Sequence, residues 1–218
     1  MTSKVNITIN GTPLAVDKGT TILDAAKLLG IKIPVLCYHK DLCIAGNCRV
    51  CVVEVVGVSK LFAACATPVW EGMEVLTNSL LVRNSRKHII ELLLSEHNAD
   101  CTKCYRNGNC ELQDLSAEYK ITNQHFIDLA HTREYTIDDF SPAIHKDDSR
   151  CIRCQRCVRT CDELQSVGAL AVINKGDKMK ISTFFDKSLN EVVCTSCGQC
   201  VIHCPTGALI EHNYIEEV

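Results

Sequence analysis

Hydrophobic and polar residues alternate at the start of the chain, and this pattern predicts a β-strand with one buried face. Val5, Ile7 and Ile9 alternate with polar neighbours. Asn10-Gly11 then predicts a tight hairpin turn, because both residues tolerate a positive φ angle. The chain is therefore expected to begin with a β-hairpin.

The apolar positions that follow have helical spacing. Thr20 or Thr21 is expected to cap this helix, and Gly30 is expected to end it. Further strands are predicted over 50–56 and 61–64. A hairpin, a helix and more strands in one short segment are typical of a β-grasp unit. The residues on the apolar face of the helix are Ile22, Ala25, Ala26 and Leu29.

Two more helices are predicted after this unit. Residues 80–95 have an amphipathic pattern that places Ile89, Leu92 and Leu93 on the apolar face. Residues 111–120 are expected to form a short helix after a cysteine-rich turn. Together with the β-grasp unit, these helices indicate an α+β protein.

Composition narrows the possible functions. The formal charge of −3 and the absence of a Lys/Arg-rich tract argue against nucleic-acid binding. No apolar run approaches the ~20 residues that span a bilayer, and the N-terminus has no signal-peptide pattern. We therefore expect a soluble cytoplasmic protein. Sixteen cysteines, grouped in C-x-x-C steps, indicate metal or cluster ligation rather than disulfides.

The most specific motif is a cysteine run that occurs twice near the C-terminus. Its spacing matches the bacterial ferredoxin run, in which the fourth cysteine ligates the other cluster. Pro205 follows the second run as that pattern expects, whereas Asp162 follows the first, and neither residue is a ligand. Two zinc knuckles would not need this crossed spacing. The predicted 4Fe–4S ligand sets are Cys151, Cys154, Cys157 and Cys204, and Cys194, Cys197, Cys200 and Cys161.

The N-terminal cysteines offer two possible ligand sets for a 2Fe–2S cluster. A run that begins at Cys43 has the plant-type spacing, but that type takes its fourth ligand from well downstream. Here the next cysteine after Cys65 belongs to another motif. We therefore prefer Cys37 and interpret Cys43 as a buried bystander. Gly46 is expected to allow close approach of the backbone to the cluster. The predicted set is Cys37, Cys48, Cys51 and Cys65.

A third motif combines one histidine with three cysteines. Such a set also suits a structural zinc site, and a three-cysteine cluster is a further alternative. His97 is expected at the end of a helix, one turn before Cys101, where it would fill the fourth corner of a 4Fe–4S cluster. A neutral imidazole in place of a thiolate should raise the reduction potential. The predicted set is His97, Cys101, Cys104 and Cys110.

These assignments use fifteen of the sixteen cysteines and leave only Cys43. They predict one 2Fe–2S and three 4Fe–4S clusters. His39 and His203 are expected to form hydrogen bonds near a cluster rather than to ligate it.

The predicted domains are a β-grasp 2Fe–2S ferredoxin-like domain over 1–78, a small helical His-Cys₃ 4Fe–4S domain over 79–122, a polar connector over 123–148, and a two-cluster 4Fe–4S ferredoxin domain over 149–218.

Taken together, the motifs resemble the N-terminal accessory region of FeFe hydrogenases and the start of the large iron–sulfur subunit of respiratory complex I. The segments that carry the resemblance are 33–38 (IPVLCY), 46–55 (GNCRVCVVEV), His97 with Cys101 and Cys104, 109–115 (NCELQDL) and 194–200 (CTSCGQC). Fourteen residues follow Cys204, so we expect neither the H-cluster domain of the hydrogenases nor a molybdopterin domain in this chain.

The resemblance implies an electron-transfer subunit of an NAD(P)- and ferredoxin-linked complex. Its implied partners are a flavoprotein that oxidises NAD(P)H, a thioredoxin-like 2Fe–2S subunit, and ferredoxin or a separate catalytic subunit. Such a complex could perform flavin-based electron bifurcation. No nucleotide-binding fingerprint or acid–base pair is visible, so no substrate site is predicted. The alternatives are a free polyferredoxin, a truncated hydrogenase accessory region and a zinc-stabilised scaffold.

Overall fold

The computed structural model describes residues 3–122, 126 and 135–212. These residues belong to two units: Met1–Tyr38 with Ile44–Ile90, and His39–Cys43 with Glu91–Val218. The first unit contains a five-stranded sheet in the order β2-β1-β5-β3-β4, in which β1 and β5 are parallel. Its strands are β1 (Lys4–Ile9), β2 (Thr12–Asp17), β3 (Val52–Val55), β4 (Phe62–Ala63) and β5 (Met73–Leu76).

The predicted hairpin and first helix are confirmed. Asn10 and Gly11 adopt φ angles of 49° and 82° between β1 and β2. Helix α1 spans Ile22–Leu28, and the Thr21 hydroxyl caps it by accepting a hydrogen bond from the Asp24 N–H at 3.1 Å. Strands β3 and β4 are shorter than predicted, and β5 was not predicted. The core of this unit lies between α1 and the sheet.

Helix α2 spans Leu80–Leu94, as predicted, but its predicted apolar face is wrong. Leu92 is 52% exposed, and Ile89 and Leu93 are only half-buried. The buried face carries charges: Nε and Nη2 of Arg86 donate to the Val52 carbonyl at 3.1 and 2.7 Å. A buried arginine is invisible to a hydrophobicity pattern, and this is the reason for the error. The buried positions of α2 are Val82, Arg86, Ile90 and Glu91.

The second unit combines two small sheets with short helices. A three-stranded sheet has the order β10-β7-β6, and β8 pairs with β9 in an antiparallel hairpin. Its elements are α3 (Glu111–Glu118), β6 (Ile137–Asp138), β7 (Ile144–Asp147), α4 (Arg156–Arg159), β8 (Ala171–Ile173), β9 (Lys180–Ser182), α5 (Gln199–His203) and β10 (Leu209–Glu211).

The predicted connector over 123–148 contains two strands, so it is not a simple linker. β7 pairs with β10 at the other end of the ferredoxin-like segment. Residues 123–125 and 127–134 of the predicted connector lie outside the described residues. The division into four domains stays a prediction. Within the described ranges, no helix is long and apolar enough to cross a membrane.

Candidate metal centres

The four cysteines predicted for the 2Fe–2S cluster form one connected group in the first unit. The Cys37 N–H donates to the Cys48 Sγ at 3.4 Å, and the Sγ atoms of Cys51 and Cys65 are also 3.4 Å apart. Cys51 directly precedes β3, and Cys65 lies two residues after β4. Side-chain hydrogen bonds with Cys48 and Cys65 lower the pKa of Cys37, and the same bonds raise the pKa values of Cys48 and Cys65, so the thiols titrate as one group. Four thiols in mutual contact, of which three are buried, suit a shared cationic centre.

Gly46 lies in the loop before Cys48 and has a φ of 62°, where glycine is favoured. A Cβ at this position would lie 3.4 Å from the Ala66 Cβ, which is close to ordinary contact. The positive φ is therefore the stronger reason for glycine here.

Cys43 was predicted to be a buried bystander, and its predicted burial is wrong. The residue is exposed and belongs to the second unit. Its N–H donates to the Glu163 carboxylate at 2.8 Å, and a side-chain hydrogen bond with Glu163 raises the pKa of the thiol. A thiol beside a carboxylate is poorly suited to bind iron as a thiolate.

The histidine of the third motif presents an unpartnered nitrogen to its surroundings. His97 follows α2, and its N–H donates to the Leu94 carbonyl at 3.2 Å. The side chain is buried, and its Nδ1 has no hydrogen-bond partner among the described residues. The ring also forms a hydrogen bond with the backbone of Arg150. Burial, with the nearby Arg150 charge, lowers the pKa of His97 to about 4, so the imidazole is neutral. A neutral, oriented imidazole with a free lone pair is what a metal-binding histidine requires.

Two of the three cysteines of this motif share a cavity with His97, and the third lies against a glycine. His97, Cys101 and Cys110 line one cavity beside α3. Burial raises the pKa of Cys101 and of Cys110, and the neighbouring Cys104 adds to both shifts. A Cβ added at Gly207 would be only 2.6 Å from the Cys104 Sγ. The donor set suits iron or zinc, so the zinc alternative from the sequence stays open here.

The first crossed set of the ferredoxin-like repeat surrounds a single small, mostly apolar cavity. Burial raises the pKa of Cys151 to about 12 and raises that of Cys157 well above its usual value. Buried thiols of this kind become thiolates only beside a strong positive charge, which bound iron provides. The cysteines that line this cavity are Cys151, Cys154, Cys157 and Cys204.

The second crossed set surrounds a similar small cavity. Burial raises the pKa of Cys200 to about 12, and the nearby Cys194 adds to this shift. Each cavity thus receives three cysteines from one run and the last cysteine of the other, which is the arrangement that the spacing predicts. The cysteines that line it are Cys161, Cys194, Cys197 and Cys200.

The loops that carry the two cysteine runs also share a backbone geometry that their residue types do not predict. Arg153 and Ser196 occupy equivalent positions and have φ angles of 55° and 54°. Gln155 and Gly198, also equivalent, have φ angles of 62° and 70° and precede helices α4 and α5. Left-handed residues of this kind turn successive N–H groups toward one point. Only Gly198 carries a sequence signal for this conformation.

These turned N–H groups donate to cysteine sulfurs. The Arg153 N–H lies 3.4 Å from the Cys151 Sγ, and the Ser196 N–H lies 3.5 Å from the Cys194 Sγ. The Ala169 N–H donates to the Cys161 Sγ at 3.2 Å. Such donors stabilise negative charge on the sulfurs of a cluster.

Three protein-family models match successive parts of the chain. They are the 2Fe-2S iron-sulfur cluster binding domain over residues 2–79, the NADH-ubiquinone oxidoreductase-G iron-sulfur binding region over 86–125, and the ferredoxin-like domain of NADH-quinone oxidoreductase subunit 3 over 141–210. The solved structure of an NAD+-reducing [NiFe]-hydrogenase in its H2-reduced state is 30% identical, with a TM-score of 0.88, and the match covers 96% of this chain and 88% of that chain. The chain belongs to this family of hydrogenase and complex I iron–sulfur subunits.

Curated members of this family are longer than the region they share with this chain. The NADP-reducing hydrogenase subunit HndD of Solidesulfovibrio fructosivorans is 46% identical over 99% of this chain and 37% of its own length. The 75 kDa subunit of the NADH-ubiquinone oxidoreductase of Reclinomonas americana is 39% identical over 96% of this chain and 30% of its own length. The chain therefore spans about a third of the length of these relatives. The expected resemblance to hydrogenase and complex I subunits is confirmed, as are 2Fe–2S and 4Fe–4S binding domains in a mixed helix and sheet fold.

Sequence reasoning missed the polar residues that support these centres. Arg156 in α4 forms two hydrogen bonds with the Glu111 carboxylate, at 2.6 and 2.9 Å, and thereby joins α4 to α3. Thr206 donates from its hydroxyl to the Arg150 carbonyl at 2.8 Å. The charges of Arg156 and Glu111 are 45 residues apart in the sequence, so no local pattern could have paired them.

Proposed function

We propose that this chain relays single electrons between a flavoprotein subunit that oxidises NAD(P)H and either ferredoxin or a separate catalytic subunit. The observation that carries the proposal is the pair of cavities lined by the two crossed cysteine sets. Bound clusters exchange one electron each, whereas a hydride from NAD(P)H delivers two electrons to a flavin. A series of one-electron centres lets the flavin release its electrons in separate steps.

The proposed content is one 2Fe–2S and three 4Fe–4S clusters. The contacts among the N-terminal cysteines and the unpartnered Nδ1 of His97 support their assignment as ligands. The proposed ligands of the 2Fe–2S cluster are Cys37, Cys48, Cys51 and Cys65. The His-Cys₃ 4Fe–4S cluster is assigned His97, Cys101, Cys104 and Cys110. The two ferredoxin-like 4Fe–4S clusters are assigned Cys151, Cys154, Cys157 and Cys204, and Cys194, Cys197, Cys200 and Cys161. We also propose the division into domains at 1–78, 79–122, 123–148 and 149–218.

The side chains and backbone are suited to set the reduction potentials apart. The N–H groups of Arg153 and Ser196 donate to ligand sulfurs and therefore favour the reduced state of the two ferredoxin-like centres. His97 contributes no negative charge to its centre, which favours reduction there as well. Because the neutral ligand and the N–H donors act by different means, the cluster held by His97 is expected to have a potential that differs from those of the other two 4Fe–4S centres.

The proposed setting is a cytoplasmic complex that also contains a thioredoxin-like 2Fe–2S subunit. Flavin-based electron bifurcation is one reaction that such a complex could perform. No substrate site is proposed in this chain. The identity to HndD, a hydrogenase subunit, favours a second candidate: the accessory region of a larger hydrogenase.

The decisive experiment is anaerobic purification of the native protein through a tag on this chain. Mass spectrometry, a flavin assay and iron and acid-labile sulfide determinations would be made on the retained material. Recovery of a flavoprotein and a catalytic subunit, with about 14 iron atoms per copy of this chain, would support the proposal. Recovery of the chain alone with all its iron would instead indicate a free polyferredoxin. Recovery of this sequence within a longer hydrogenase chain would favour the second candidate.

A further inference from the structure

A second kind of metal-ligating group lies in the second unit and contains no cysteine. One ligand-capable atom from each of His39, Asp41 and His203 lies within 4.8 Å of the other two. The rings of His39 and His203 meet edge to face with centroids 4.5 Å apart, and Oδ2 of Asp41 is 3.7 Å from Nδ1 of His39. We propose that these three side chains bind a divalent transition-metal ion such as Zn²⁺, at a site separate from the iron–sulfur clusters.

Both imidazoles hold a lone pair that is available to a metal. Nδ1 of His203 lies 2.8 Å from the Gln199 carbonyl one turn earlier in α5, so Nδ1 carries the proton and Nε2 is free to ligate. A backbone carbonyl in this position is a common partner of a metal-binding histidine. The Asp41 N–H donates to Nδ1 of His39 at 3.4 Å, so Nδ1 is unprotonated, and a bound ion would replace this long hydrogen bond. The same nitrogen is the one that lies nearest the Asp41 carboxylate, so an ion between them would meet both donors.

The distances are close to those of a loaded site. Zinc ligands at ~2.0–2.1 Å in tetrahedral geometry are about 3.4 Å from one another. The 3.7 Å separation of His39 and Asp41 needs little change, and the full 4.8 Å spread closes with small rotations of the side chains. Two histidines and one carboxylate leave one coordination position for water, as in open zinc sites.

The charges and the access route also permit a cation. The carboxylate of Asp41 is exposed, so an ion can reach the site from solvent. His203 and Arg156 both act electrostatically on His39, and Arg156 forms two hydrogen bonds with the Glu111 carboxylate, which offset its charge. Asp41 supplies the negative charge that the bound ion requires.

Binding would join the short segment His39–Cys43 to helix α5. Both histidines are close to proposed cluster ligands in the sequence. His39 lies two residues after Cys37, and His203 directly precedes Cys204. The ion would therefore fix the His39–Cys43 segment against α5 within the second unit without replacing a cysteine. Both histidines form hydrogen bonds, as the sequence predicts, and metal binding would be a role in addition to these bonds.

The test uses the anaerobically purified chain with its full iron content, dialysed against micromolar Zn²⁺. We expect one zinc per chain and no loss of iron. Zinc X-ray absorption should show a nitrogen and oxygen shell at ~2.0–2.1 Å and no sulfur shell at ~2.3 Å. Asp41→Asn and His203→Gln should each weaken zinc binding at least tenfold. His88→Gln, which changes an exposed histidine of α2, is the matched control and should bind like the parent.

Three results would overturn the proposal. They are no retained zinc in the iron-loaded parent, a sulfur shell that places the zinc at cysteines, and zinc affinity in Asp41→Asn equal to that of His88→Gln. If His203→Gln loses iron, Asp41→Asn decides the question, because its exposed side chain can change with little effect on packing. Unchanged EPR spectra of the clusters in Asp41→Asn would show that its effect is confined to the zinc site.

Discussion

Arg86 offers a sharp test of how the first unit holds its 2Fe–2S ligands. Its guanidinium is buried, and two of its nitrogens donate to the Val52 carbonyl at 3.1 and 2.7 Å. Val52 begins β3 and directly follows Cys51, a proposed ligand. Arg86→Met keeps an extended apolar side chain but removes both donors. We expect the substitution to destabilise the protein and to loosen the backbone beside Cys51.

The magnitude follows from the two hydrogen bonds that are lost. A hydrogen bond to a charged group contributes about 1.5–3 kcal/mol, and because both donors share one acceptor, we expect a loss of about 3 kcal/mol in total. For a protein of this size, each kcal/mol lowers the melting temperature by about 2–4 °C. The expected decrease is therefore about 6–12 °C in the apparent melting temperature.

The assay is anaerobic thermal unfolding followed by circular dichroism at one fixed scan rate, because loss of clusters makes unfolding irreversible. Arg83→Met is the matched control, since Arg83 lies one turn earlier in α2 and is exposed. The EPR spectrum of the 2Fe–2S centre should broaden in Arg86→Met and not in Arg83→Met. Equal melting temperatures within about 2 °C, with identical spectra, would refute the anchoring role of Arg86.

Three further predictions concern the other centres. Cys204→Ser should perturb the cluster of the first ferredoxin-like run and Cys161→Ser that of the second, as resolved by EPR of the two 4Fe–4S signals; the uncrossed outcome would contradict the ligand sets. His97→Cys should lower the potential of one cluster in a redox titration, because a thiolate adds negative charge, and an unchanged midpoint would exclude His97 as a ligand. Gly207→Ala places a Cβ 2.6 Å from the Cys104 Sγ; we expect overpacking of about 1–3 kcal/mol and weaker iron retention at the His97 centre, measured as iron per chain after gel filtration.

Local patterns predicted the elements whose cause is local. The hairpin at Asn10-Gly11 depends on two residues that accept positive φ, and α1 depends on its apolar spacing and the Thr21 cap. Strand β5 was missed because its main support is parallel pairing with β1, far away in the sequence. Likewise, β7 lies in a polar segment and is held by pairing with β10.

The candidate centres were predictable in their ligand spacing but not in their supporting geometry. The crossed pairing of Cys161 and Cys204 follows from the spacing of a known cluster motif. The left-handed conformations of Arg153 and Ser196 do not, because neither residue type favours that region and only the packed loop imposes it. The burial of Arg86 could not be predicted for a related reason. Its partner is a backbone carbonyl, and every residue type carries one.

The crossed cavities have a consequence for the order of events during synthesis. The N-terminal cysteines are complete once residue 65 has emerged, whereas the cavity of the first ferredoxin-like run needs Cys204. At roughly 5–20 residues per second, about 140 further residues take about 7–28 s to translate. Until then, three cysteines of that run are exposed to oxidants and stray metals without their fourth partner. With the proposed ligand sets, iron delivery to these two centres would wait until Cys204 has been synthesised, and both would be loaded as one unit.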